Sequence, residues 1–256
     1  MSVRLEFDGP LAVLSLDSPP LNLFDRAMGD AFADAIGQVK QSDARGLLVR
    51  ADGKVVSGGV DVHLFATLDV DSGAELWRDW FDMVHALEEL PIPTVFAAHA
   101  LCLTAAFEIS LACDLLLAAE SARFGLVEKV VGLTPSMGGP QRLSERAGPA
   151  RARELVYTGE LFDAATLERW NVVNRVLPDD GFDAAARAFA MSLATGPTRA
   201  HAATKAIIRE QVEVGTGGAD EITADVSGRL FATEDLRNAV ASFLRDGPGK
   251  ATYAGR

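Results

Sequence analysis

Histidine and cysteine, the side chains most used to hold transition metals, are scarce in this chain: four histidines and two cysteines in 256 residues. His63, His85, His99 and His201 share no HxxxH spacing, so no metal is expected. Cys102 and Cys113 fall in one central apolar stretch, with neither CxxC spacing nor a disulfide framework, and read as reduced, packed thiols. Basic charge is also short. Against 36 Asp and Glu stand 24 Lys and Arg, a net charge of −12; this argues against nucleic acid or an anionic membrane as partner, since either needs clustered cations to displace counterions. No apolar run reaches the ~18 residues of a membrane helix. "SVRLEFDG" after Met1 lacks the basic and apolar parts of a signal peptide, and a cytoplasmic protein is expected. A GxGxxG after a strand, a P-loop and a GxSxG elbow are absent too. "SGGVD" and "SMGGP" are shorter glycine clusters, and neither Ser57 nor Ser136 lies in such an elbow. Dinucleotide and P-loop chemistry are thereby excluded, and a Ser/His/Asp enzyme has no support.

What is present describes one large core: 48% hydrophobic, 23% charged, with no biased tract and no Pro, Gly or Ser linker between halves. "VRLEFD" and "LAVLSLD" read as strands, followed by the turn "SPPLN" and a helix from Asp25 to Val39 with Met28, Phe32, Ile36 and Val39 on one face. "GLLVRA" is the next strand. A glycine-bearing loop, "VVSGGVDV", then leads to a helix over about 72–90 striped by Leu76, Trp80, Val84 and Leu87. Once more the order recurs, with "TVFAAHA" a strand, "TAAFEISLAC" a helix and "DLLLAAE" a strand. Beyond Pro135 the chain turns helical apart from "VVNRVL". Strands alternating with helices make this an α/β fold.

Glu108 stands out because it sits among alanine, leucine and other small or apolar residues. Burying a lone charge costs several kcal/mol, so such a glutamate is turned to solvent, paired, or kept for chemistry. Four stretches in fixed order bear on that choice: "VVSGGVDVHLF" (55–65), "PTVFAAHALCLTAAFE" (93–108), "CDLLLAAESARFGLVEKVVGLTPSMGGPQRL" (113–143) and "GELFDAATLERWNVVNRVLP" (159–178). Together they resemble the enoyl-CoA hydratase/isomerase, or crotonase, family over nearly the whole chain.

The resemblance implies a crotonase-like spiral of repeated strand–strand–helix units over 1–195, and a C-terminal helical region over 196–256 that packs on other subunits in a homotrimer or a dimer of trimers. It implies an acyl thioester of coenzyme A as ligand, the coenzyme being part of the substrate and no separate cofactor. Two backbone N–H groups, of Val60 and Ala105, would polarise the thioester carbonyl. Pro20, Leu21, Ser57, Gly58, Asp61, Val62 and His63 would line the binding site. Glu108 matches the first catalytic glutamate of the family's hydratases and Glu128 the second, 20 residues on.

Physical chemistry supports such a use. N–H donors at a helix N-terminus are each worth roughly 2.7–4 kcal/mol to a developing oxyanion. Of two carboxylates, one accepts a proton from water while the other orients that water or protonates Cα. Burial would raise both pKa values, and a close pair could share a proton. Read alone, Glu128 beside Lys129 could equally be a solvated ion pair.

The chain departs from the family at His99–Ala100 and at Thr104-Ala105-Ala106, where members carry Asn-Gly and a glycine run. Each added methyl narrows the acyl channel and is expected to exclude positive φ. Pro19 and Pro20 also replace a basic residue, leaving Lys54, Lys250 or Arg256 as sources of phosphate contacts. The expected activity is hydration of a 2-enoyl-CoA to a 3-hydroxyacyl-CoA. Double-bond isomerisation, or non-catalytic acyl-CoA binding on the same fold, are the alternatives.

Overall fold

The structure is a computed structural model that describes residues 2–256. β1 (Val3–Asp8) and β2 (Leu11–Leu16) form an antiparallel hairpin in the register Val3↔Leu16, turned at Gly9, whose φ of +55° suits glycine. β2 is buried at all six positions because β3 (Gly46–Ala51) pairs with its other edge in parallel. Between them runs α1 (Arg26–Gln41), capped by Asp25, whose carboxylate accepts the Met28 N–H at 2.7 Å. Its Met28, Phe32, Ile36 and Val39 are buried, the face that the helical spacing predicted.

The glycine loop after β3 leads to the single turn α2 (Val62–Phe65) and to α3 (Val70–Glu88), which opens with an Asp69/Ser72 capping box. β4 (Thr94–Ala98) and β6 (Leu115–Ala119) extend the sheet, with β5 (Leu101–Leu103) and α4 (Thr104–Ala112) between them. β7 (Arg123–Gly125) and a 3-10 turn (Glu128–Val131) precede α5 (Gly139–Ala147), α6 (Pro149–Thr158), β8 (Phe162–Asp163), α7 (Ala164–Arg169) and β9 (Arg175–Leu177). Helices close the chain: α8 (Phe182–Ala194), α9 (Thr198–Val214), α10 (Thr216–Gly228) and α11 (Glu234–Asp246). No helix among the described residues is long and apolar enough to cross a membrane.

Two sheets result. The larger has the order β1-β2-β3-β4-β6-β9, parallel after its first pair; the smaller joins β5, β7 and β8. This differs from the sequence reading in one useful place. The expected strand through "TVFAAHA" stops at Ala98, and the chain bends at His99 and Ala100 before β5 enters the second sheet. That change of sheet sets α4 beside the glycine loop. "VVNRVL" likewise forms a strand only over Arg175–Leu177, because Val172 and Val173 are buried in the preceding turn.

Candidate active site

α4 is buried at all nine positions, as a helix apolar on every side must be. Phe107 packs on Phe124 of β7 with ring centroids 5.1 Å apart and the rings tilted by 51°, which fixes the helix against the small sheet. No side chain caps its N-terminus, so the N–H groups of its first turn, Ala105 among them, have no intrahelical acceptor.

Facing this end is the loop 57–60. Leu103 N–H donates to the Ser57 carbonyl and Ser57 N–H to that of Leu101, each at 3.1 Å, so loop and helix entry are stitched together. On its far side the Phe24 N–H donates to Gly59 O and the Asp61 N–H to Phe24 O, both at 2.8 Å. The N–H of Val60, between these, has no acceptor among the described residues. Buried Asn22 anchors the assembly. Its Nδ2 donates to the carbonyls of Asp52 (2.9 Å) and Val56 (3.2 Å) and its Oδ1 accepts Ser18 N–H (2.6 Å). Val60 and Ala105 therefore present free N–H groups from two segments that are braced against each other.

The glycine-to-threonine departure is a finding in itself. Methyls were expected to exclude positive φ, yet Thr104 has φ of +46°. A β-branched residue there is an outlier that costs about 1–3 kcal/mol. The surrounding packing holds it: Thr104 is 6% exposed, and its side chain lies against Gly59, where a Cβ would stand 2.5 Å from the Thr104 Oγ1. Ala105 and Ala106, by contrast, are ordinary buried helical residues.

Glu108 is 2% exposed and neither solvated nor in an ion pair. Met137 and Gly139 donate their N–H groups to its Oε1, each at 2.8 Å, and among the described residues no side-chain or backbone donor is found on Oε2. Gly139 is the first residue of α5, so the carboxylate sits at that helix's positive end. Burial pushes the Glu108 pKa up to about 7, and the Gly139 and Met137 donors, then the charge of Arg142, oppose the rise. Arg142 Nε is bound to Glu88 at 2.6 Å and an Nη reaches the Gly138 carbonyl at 3.3 Å, bracing the turn that supplies these donors. Gly138 lies at φ +95°, where a side chain is strained, and a Cβ there would displace the Arg142 guanidinium.

Glu128 opens the 3-10 turn. Its Oε2 is buried and unpartnered, and Lys129 does not pair with it, its aliphatic chain lying over Gly159 instead. Burial, then the neighbouring Glu108 charge, pushes its pKa up to about 8. The two carboxyl groups therefore sense each other and are both raised into the neutral range.

The structure gathers the other expected residues to different degrees. Leu21, 44% exposed, packs on Gly58. Pro20 is exposed beside it. Ser57 is fully buried, donating to the Asn22 carbonyl (2.7 Å) and accepting the Gly59 N–H (3.0 Å), so it shapes the loop from within. Asp61 caps α2 by accepting the His63 N–H at 3.0 Å, while Val62 and His63 are exposed. Among the phosphate candidates, Lys54 is exposed on the approach to the loop and Lys250 near the C-terminus, whereas Arg256 is paired with Glu234 at 3.0 Å. Met137, Gly139, Arg142 and Glu88 went unassigned in the sequence. The glycine pair of "SMGGP", with Pro140 opening a helix, was the available signal. Among the described residues no group of three or more His, Cys, Asp or Glu is placed to hold a metal ion.

Known proteins show the same arrangement of chain. The Enoyl-CoA hydratase/isomerase family model matches residues 6–251. A probable enoyl-CoA hydratase of Mycobacterium tuberculosis is 34% identical over 209 residues, covering 81% of this chain and 80% of that one. A crotonyl-CoA hydratase of Syntrophomonas wolfei is 28% identical over 249 residues, covering 95% of each. Among solved structures, an enoyl-CoA hydratase subunit I of Geobacillus kaustophilus superposes with a TM-score of 0.93 at 27% identity, covering 100% of this chain and 99% of that chain.

Proposed function

The chain belongs to the enoyl-CoA hydratase/isomerase family and has the crotonase fold, and from that premise we propose that it hydrates a 2-enoyl-CoA thioester to a 3-hydroxyacyl-CoA. In this reading the thioester oxygen lies between the N–H groups of Val60 and Ala105, which stabilise the negative charge that grows on it as water adds. Leu21, Gly58 and the Asp61–His63 turn flank the coenzyme. Water bonds to C3 through its oxygen while giving one proton to Glu108 Oε2, the oxygen without a hydrogen bond. Glu128 passes its proton to C2. Atoms and charge then balance: one water is added, Glu108 ends protonated and Glu128 ionised, and exchange with solvent restores both.

One observation carries this assignment: two buried carboxyl groups, with pKa values of about 7 and about 8, of which Glu108 receives two backbone donors from a distant segment and Glu128 has only its own backbone N–H. Donors favour the ionised form and an unpartnered buried oxygen favours the neutral one. At neutral pH the pair therefore holds one proton, mainly on Glu128, as acid–base addition requires. A lone base would serve for moving a double bond, and a second buried acid favours hydration.

The test is incubation of crotonyl-CoA and longer 2-enoyl-CoAs in H2(18)O. Hydration places the label at C3 of a 3-hydroxyacyl-CoA. A shifted double bond without label, or tight binding without turnover, would contradict it. We further propose that residues 196–256 form the face on which copies assemble into a trimer or a dimer of trimers. Ile208, Val212 and Val214 of α9 and Val240, Phe243 and Leu244 of α11 leave apolar side chains exposed there. The mass of the particle in solution checks this.

A further inference from the structure

The Thr104 hydroxyl is a buried polar atom without a partner among the described residues, and native interiors contain few of these. It stands against Gly59, so it lies between the residues that immediately precede Val60 and Ala105, the two that carry the free N–H groups. Its backbone is held at φ +46°, where glycine would rest without strain, and the packing nevertheless retains a β-branched alcohol. A hydroxyl rotates freely and donates one hydrogen bond. The N–H of Gly59, against which it stands, is already committed to Ser57 Oγ at 3.0 Å.

We propose that Thr104 is a catalytic residue whose hydroxyl supplies a third hydrogen bond to the thioester oxygen, beside the N–H groups of Val60 and Ala105. The inference rests on the hydratase reading above. It accounts for a threonine being kept where the fold would prefer glycine: the alcohol gains its missing partner only when an acyl thioester is bound. The bond matters most as the oxygen becomes negative, so its effect falls on kcat more than on KM.

Three variants test it. Thr104→Val keeps the branched shape and removes the donor, Thr104→Ser keeps the donor, and Thr104→Gly removes both donor and strain. Melting curves establish that each is folded. Wild-type turnover of crotonyl-CoA is measured first, and its absence would overturn the hydratase reading and this proposal with it. Given turnover, the Val variant should lose roughly 10²-fold in kcat with KM little changed, and the Ser variant should keep most of the activity. Infrared spectra of a bound 13C-carbonyl thioester should show the carbonyl stretch shifted less from its free value in the Val variant than in wild type or the Ser variant. A Val variant with wild-type kcat and carbonyl frequency, or a Gly variant faster than wild type, would overturn the third donor while leaving hydration in place.

Discussion

Around Glu108 every residue of α4 is buried and two N–H groups converge on one carboxylate oxygen; around Glu128 the chain is a four-residue 3-10 turn whose Val130 and Val131 are 77% and 49% exposed. Both regions raise a carboxyl pKa by burial, but the first sets two N–H donors from another segment and the Arg142 charge against the rise, and the second only the backbone N–H of Glu128 itself. Chain position explains the contrast. Glu108 is on a helix clamped between the sheets and faces the start of α5, so donors are fixed where its charge will be. Glu128 sits on a rim that supplies no donor from another segment. In the proposed mechanism two identical side chains thus take different protonation states from their surroundings, and with them different roles.

The largest expected effect comes from removing each carboxylate in turn. Glu108→Gln should lower kcat by roughly 10³-fold and Glu128→Gln by roughly 10²-fold, with little change in acyl-CoA affinity, because the first removes the base and the second the acid. In the Glu108→Gln variant the new amide oxygen can still accept the Met137 and Gly139 N–H groups, so the fold should persist. Unaltered hydration in either variant removes that residue from the mechanism.

A smaller effect should follow from disturbing the compensation alone. At Gly139 a Cβ would stand 2.9 Å from Glu108 Oε1 and 3.0 Å from its Cγ. Gly139→Ala should therefore push the carboxylate off its donors, cost roughly 10-fold or more in kcat and move the acidic limb of the rate profile upward. If activity and profile stay as in wild type, the donors do not set the Glu108 ionisation.

Least in size is the effect on stability. The Glu128 value of about 8 lies above its ordinary 4.5, so the native state binds the extra proton between those values and stability falls as pH rises through the window. Glu128→Gln should raise Tm relative to wild type above pH 8, and the difference should vanish towards pH 4.5. Thermal melts across that range check it; a difference that grows on acidification would mean the pKa is not raised.

Much of this was legible in the sequence, for physical reasons that differ by residue. The faces of α1 and α3 followed from helical spacing, and Glu108 announced itself as a charge in an apolar run. Glu128 did not, since Lys129 beside it suggests a surface pair until the 3-10 turn separates them. Strands of two or three residues, such as β5, β7 and β8, are too short to show a period, so the second sheet went unread. Met137 and Gly139 lie 29 and 31 residues from the oxygen they serve, and Glu88 lies 54 residues from Arg142. Local pattern carries no information about such distant partners. For Thr104 intrinsic preference pointed the wrong way, because packing against Gly59 holds a conformation its side chain disfavours.

In the proposed mechanism the pair shares one proton at neutral pH, with Glu108 ionised and Glu128 protonated. The pH dependence of kcat for crotonyl-CoA hydration in wild type and both Gln variants tests it most directly. Wild type should give a bell whose apparent pKa values belong to the pair and fall near about 7 and about 8. In the residual activity, Glu108→Gln should lose the acidic limb and Glu128→Gln the alkaline one. The same bell in both variants, or a flat wild-type profile across the neutral range, would contradict a shared proton.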